Sequence, residues 1–148
     1  MRLLFRQNFL FFDKGKGEEK TVFIIYKKYS GGKYIMQISI AGKYRTLIIG
    51  LDGDLDHHST GKLRDRIDRE LKRTGAVNAA FDFSNVSFMD SSGIGFIMGR
   101  YKIVHALGGK VILYGISDNV RRIIEMSGID KLVVTAKNLE YGLMEVGV

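Results

Sequence analysis

From Met36 onward the apolar positions alternate between two spacings. Ile38 and Ile40, then Thr46 to Leu51, read as two strands joined by a turn at Ala41-Gly42-Lys43. A polar turn follows over Asp52–His58. Leu63, Ile67 and Leu71 then recur at i, i+4 and i+8, which predicts one stripe of a helix capped by Ser59 or Thr60 and running to about Arg73. Arg64, Asp65, Arg66, Asp68, Arg69 and Lys72 fill the other side and read as a solvated face. Gly75 ends the helix. Val77 to Phe83 is a short buried strand and Ser84 to Ser92 a loop. A second helix is expected from about Gly93 to Leu107, with Ile94, Ile97, Met98, Tyr101 and His105 on one side and Gly108-Gly109 as its stop. Lys110 to Gly115 is another strand. Ser117 caps a third helix, with Val120, Ile123 and Ile124 inward and Gly128 at its end. Leu132 to Val134 reads as a strand and Leu139 to Val146 as a final helix.

Strands alternating with amphipathic helices predict an α/β layer with parallel pairing at its centre and right-handed crossovers. Residues 36–148 suffice for one modest core. The longest apolar runs are too short for a membrane-spanning helix. The chain has no Cys and no Pro, which excludes disulfides, thiol catalysis, cysteine-based metal sites and cis-proline turns.

A net charge of +7 over 148 residues would point to a nucleic-acid or membrane partner. Its distribution removes that reading. Residues 1–35 hold eight Lys/Arg against three Asp/Glu, whereas residues 36–148 hold fifteen against thirteen. The first segment differs from the rest in other ways. Its aromatic stretch Met1–Phe12 is interrupted by Arg6-Gln7-Asn8 and lacks a signal-peptide cleavage site. A polar run covers Asp13–Lys20, and Thr21–Tyr26 has the composition of a strand. Two readings stand: a basic extension, partly disordered, or a segment that is not translated, with Met36 as the start. Ser30-Gly31-Gly32 favours the second, because a GGAGG-containing stretch can encode it about ten nucleotides before the Met36 codon.

The chemistry is sought in the loops. Asp90-Ser91-Ser92-Gly93-Ile94-Gly95 lies between a buried strand and a helix start, where free N–H groups and the helix dipole favour a negative charge. Ser91 or Ser92 is therefore a candidate phosphoacceptor. Gly93, Gly95 and Gly99 are costly in a helix unless something approaches closely. The plainer alternative is an ordinary serine N-cap with glycines serving helix–sheet packing. His57 and His58 follow Asp54 and Asp56, but adjacent histidines diverge and no Cys supports them, so no metal is assigned. His105 falls on the expected inward stripe and reads as a packed core histidine. The sequence contains neither G-x-S-x-G nor G-x-x-x-x-G-K-[ST], so hydrolase and P-loop chemistry have no support.

Leu51-Asp52-Gly53-Asp54-Leu55-Asp56-His57-His58, Ser87-Phe88-Met89-Asp90-Ser91-Ser92-Gly93-Ile94-Gly95 and Gly99-Arg100-Tyr101-Lys102, extended by Ile116-Ser117, Val120-Arg121-Arg122 and Met126-Ser127-Gly128, resemble the anti-sigma factor antagonists of the STAS domain family. The Asp-Ser-Ser-Gly core is widespread in that family. The Leu-Asp-His-His and Gly-Arg-Tyr-Lys elements resemble its sporulation branch. The resemblance covers residues 36–148 and leaves 1–35 outside.

It implies a single STAS domain, a small mixed β-sheet with about four packed helices, and a cytoplasmic regulator rather than an enzyme, with no cofactor. Its partners would be an anti-sigma factor that is also a serine kinase, and a PP2C-type serine phosphatase, without direct contact to nucleic acid or membrane. The family's phosphoacceptor corresponds to Ser91, and Asp56 to a position at the kinase interface. Asp90, Ser92, Gly93, Ile94 and Gly95 complete the implied docking surface. The alternatives are another STAS interaction module, such as a general stress antagonist or an assembly subunit, or a nucleotide- or small-ligand-binding protein using the Asp90–Gly95 loop.

Overall fold

The computed structural model describes the backbone of residues 2–6, 9–13, 21–29 and 32–40, and the full atoms of 45–146. The expected turn at Ala41-Gly42-Lys43 lies outside the described residues. β1 (Arg2–Arg6) and β2 (Phe9–Asp13) form an antiparallel pair. A six-stranded sheet has the order β3-β4-β5-β6-β7-β8. β3 (Thr21–Tyr29) and β4 (Gly32–Ile40) pair antiparallel, with Ile25 opposite Met36, and β4 pairs antiparallel with β5 (Thr46–Asp52). The sheet thus includes a strand that precedes Met36.

The remaining pairs, β5 with β6 (Asn78–Asn85), β6 with β7 (Val111–Tyr114) and β7 with β8 (Val134–Ala136), are all parallel. The connections are the helices that parallel pairing requires: α1 (His57–Thr74), α2 (Ser91–Ala106) and α3 (Asp118–Ser127). α4 (Leu139–Val146) follows β8.

Strand side chains alternate between two faces. Leu47, Ile49, Phe81, Phe83 and Leu113 point to one of them and join Ile67 and Leu71 of α1, Phe96, Ile97 and Val104 of α2, and Val120 and Ile124 of α3 in the main core. Phe81 meets Phe96 edge to face, centroids 5.7 Å apart. Such pairs add roughly 0.5–1.5 kcal/mol to their burial. Ile48, Ala80 and Ile112 point to the other face, where Leu139 and Val146 of α4 pack on them. Three helices therefore cover one side of the parallel strands, and α4 lies on the other.

The expected α/β layer with a parallel centre is the observed one, with three local corrections. Asp56, not Ser59 or Thr60, caps α1, because its carboxylate takes the N–H groups of His58 and Ser59 (both 2.9 Å). Ser59 returns the favour by accepting the Asp56 N–H, which makes a capping box. His105 is exposed and stacks on Tyr101, centroids 5.3 Å apart, so it is not a core histidine. Leu132 ends a 3-10 turn over Ile129–Lys131, which shifts the last strand to Val134–Ala136.

The charged face of α1 is also only partly solvated. Glu70 is buried between Arg66 (3.1 Å) and Arg73 (2.7 Å). Asp68 reaches across to α2 and meets the buried Arg100 at 2.8 Å and 3.2 Å, while the guanidinium lies 5.3 Å from the Phe96 centroid. Burial pushes the Asp68 carboxyl above its ordinary range, against the pull of Arg100. A carboxyl that holds its proton more tightly folded than unfolded makes stability fall as pH rises through the range just above the ordinary aspartate value. Asp68→Asn is expected to flatten that decline in urea midpoints measured against pH. At neutral pH it still costs about 1–2 kcal/mol, because Arg100 loses its partner while partial exposure of Asp68 tempers the effect.

Candidate functional site

The site sits at the carboxyl ends of β5 and β6, where both chains turn into helices side by side. Leu55 and Met89 form an isolated parallel bridge. The Leu55 N–H donates to the Phe88 carbonyl (3.1 Å) and the Asp90 N–H to the Leu55 carbonyl (3.2 Å). One residue beyond the bridge on each side stands an aspartate N-cap: Asp56 for α1 and Asp90 for α2. The Asp90 carboxylate takes the Ser92 N–H at 2.8 Å. Both bridging side chains are buried, 2% and 1% exposed, so they lock the two helix starts together from beneath.

Gly93 makes this lock possible. A Cβ there would overlap Met89 Cγ, lie 2.7 Å from Met89 Sδ and 3.2 Å from Leu55 Cβ. Gly95 and Gly99 differ, because a Cβ at either would meet nothing within 4 Å. Of the three glycines, then, one serves packing and two have open space above them.

Ser91 is the first residue of α2 and is exposed, so neither Ser91 nor Ser92 is the cap. Its hydroxyl projects from a helix start whose Ser92 donor is already taken by Asp90. The N-terminal end still favours negative charge, but Asp90 claims part of that advantage. Ser92 and Ile94 are half-buried, and Ile94 packs against the main core. Phe88 is 51% exposed beside the bridge. Ser87 Oγ approaches Asp54 Oδ1 at 3.4 Å.

The residues proposed from sequence, Asp56, Asp90, Ser91, Ser92, Gly93, Ile94 and Gly95, thus gather at one end of the sheet. Sequence reasoning missed Leu55 and Met89. The available signal was the repeated apolar-Asp pair, Leu55-Asp56 and Met89-Asp90, ahead of each helix. His57 and His58 begin α1 on the surface, rings 6.1 Å apart. Among the described residues no group of three or more His, Cys, Asp or Glu is arranged to hold a metal ion. No described helix is long and apolar enough to cross a membrane.

The Ser59 N–H lowers the Asp56 carboxyl below its ordinary value, with smaller help from the His58 N–H. A depressed carboxyl contributes stability above its ordinary value and loses it as pH falls through the folded one. Asp56→Ala is expected to lower Tm modestly, as loss of an exposed cap does, and to leave the fold in place. Collapse of the melting transition would instead make Asp56 a residue on which the whole turn depends.

The STAS domain family model matches residues 37–142. The chain is 34% identical over 113 residues to an anti-sigma F factor antagonist of Paenibacillus polymyxa, covering 76% of this chain and 97% of the relative. It is 30% identical over 108 residues to an anti-sigma-B factor antagonist of Listeria monocytogenes, covering 71% and 93%. Among solved structures it is similar to the anti-sigma factor antagonist SpoIIAA in its unphosphorylated form, with a TM-score of 0.63 and 30% identity over 76% of this chain and 97% of the other. It is also similar to the Bacillus cell fate determinant SpoIIAA in the phosphorylated form, with a TM-score of 0.54 and 26% identity over 80% and 95%.

Proposed function

The chain belongs to the STAS domain family, and from that premise we propose that it is an anti-anti-sigma factor. In its unphosphorylated form it docks on an anti-sigma factor and frees the sigma factor held there, sporulation sigma F. The anti-sigma factor is a serine kinase that phosphorylates Ser91 and so ends the interaction. A PP2C-type phosphatase restores it. Asp56, Asp90, Ser92, Gly93, Ile94 and Gly95 form or support the docking surface.

The observation that carries this reading is the exposed Ser91 hydroxyl at the first position of α2, next to the Asp90 cap and fixed to the Asp56 turn by the Leu55–Met89 bridge. A kinase can reach such a hydroxyl without unfolding anything. Phosphoserine adds about −1.5 to −2 charges near neutral pH. Placed in a desolvated contact opposite acidic groups or nucleotide phosphates, that charge costs several kcal/mol. The helix start tolerates the anion, so the switch is local electrostatics rather than refolding.

The test is a competition assay with the purified chain, an anti-sigma F factor loaded with sigma F, and an anti-sigma-B factor loaded with sigma B. Release of sigma F alone is expected. Release of sigma B alone would assign the chain to the general stress branch, and release of neither would remove the reading.

A further inference from the structure

A second crevice opens at the same edge of the sheet, two strands away from Ser91. Gly115, Ile116, Arg121, Thr135, Ala136 and Lys137 line an open depression of about 310 Å³. Its position follows from the topology. α3 leaves β7 on the main-core side of the sheet, whereas α4 leaves β8 on the opposite side. The chain therefore changes face between the carboxyl ends of β7 and β8. The diverging connections leave a gap at this end of the sheet edge.

The chemistry of the gap is cationic. Arg121 is half-buried and Lys137 exposed, and neither belongs to an ion pair among the described residues. The nearest strand carboxylate, Asp82, is engaged by the Ser84 N–H at 2.9 Å and hydroxyl at 2.5 Å. Gly115, Ile116 and Ala136 line the rest of the gap. Gly115 has φ +67, and a Cβ there would overlap Ser84 Oγ and lie 3.0 Å from Asp82 Oδ1. Thr135 lies on the same lining.

We propose that this crevice binds a phosphoryl dianion, held between Arg121 and Lys137 against the Gly115 backbone. A volume near 310 Å³ exceeds what free phosphate fills and suits a small phosphorylated organic molecule. The site is separate from Ser91 and does not depend on the sigma-factor reading.

The experiment is amide NMR on the full chain, titrated separately with inorganic phosphate and ribose 5-phosphate. Saturable shifts are expected at Gly115, Ile116, Thr135 and Lys137, with Ser91 and Asp56 unmoved. Arg121→Gln is expected to weaken binding at least about tenfold, since a charge-assisted contact is lost. Lys137→Gln, an exposed change that leaves packing untouched, is expected to weaken it as well and serves if Arg121→Gln does not fold. Tighter binding of ribose 5-phosphate would assign an organic phosphate, and equal binding free phosphate; both support the site. Shifts that never saturate, that appear equally at Ser91, or that persist in the folded variants would overturn it.

Discussion

Ser91→Asp is expected to lose at least about hundredfold in affinity for the anti-sigma kinase, while Ser91→Ala binds like the native chain and cannot be switched off. Hundredfold corresponds to about 3 kcal/mol, within the cost of a like-charge clash in a desolvated contact. Neither variant should change the fold. Ser91 is exposed at the first position of α2, and Asp90 performs the capping. A carboxylate at that position gains a few tenths of a kcal/mol from the helix dipole and loses some of it to Asp90 alongside. Melting curves of both variants should therefore overlay the native one, which isolates the effect on binding. Titration calorimetry against the kinase decides the matter: equal affinities for the two variants would refute the charge mechanism. Mass spectrometry of the native chain after incubation with kinase and ATP should place one added phosphate on Ser91, and phosphate on Ser92 instead would move the switch by one residue.

What could be read in advance follows the strength of the local pattern. The α1 stripe Leu63, Ile67 and Leu71 was unambiguous because charges occupy every other side, and Ile67 and Leu71 are buried as expected. In α2 apolar residues and glycines surround the axis, so periodicity gave no firm direction. Ile94, Ile97, Met98 and Tyr101 face the core as expected, but His105 is exposed, and the buried Phe96, Arg100 and Val104 were not in the expected set. Arg100 in particular could not be placed from sequence. Its burial depends on Asp68, which lies two elements earlier and 32 positions away. The caps were misread for a related reason. Ser59 looks like an N-cap because it does hydrogen-bond the helix start, but as the last residue of a capping box rather than as its first. The Asp90–Gly95 loop was identifiable because a buried strand, two serines at a helix start and three glycines within seven residues have few joint explanations. Its neighbour across the sheet was not, since the Leu55–Met89 bridge joins two loops far apart in sequence, and the repeated apolar-Asp pair marks each loop without showing that the two meet.

The two kinds of glycine in α2 should respond in opposite ways to the same added methyl. Gly93→Ala forces Met89 away from beneath the helix, and Met89 is itself buried against Leu55. Overpacking of this kind costs about 1–3 kcal/mol. For a domain of this size that lowers Tm by roughly 4–12 °C. Because the displaced residues carry the bridge, the change also alters how Ser91 is held relative to Asp56, so phosphorylation by the kinase should slow even below the melting range. Gly95→Ala meets open space and gains helix propensity of up to about 1 kcal/mol, so Tm should rise. If the open space at Gly95 is where the partner's backbone approaches, the same substitution should weaken kinase binding at least about tenfold despite the more stable fold. A gain in stability accompanied by a loss in affinity is a signature that a purely structural glycine cannot give. A stabilised Gly95→Ala chain that binds normally would confine the docking surface to the loop ends and leave the outer face of α2 without a role in it.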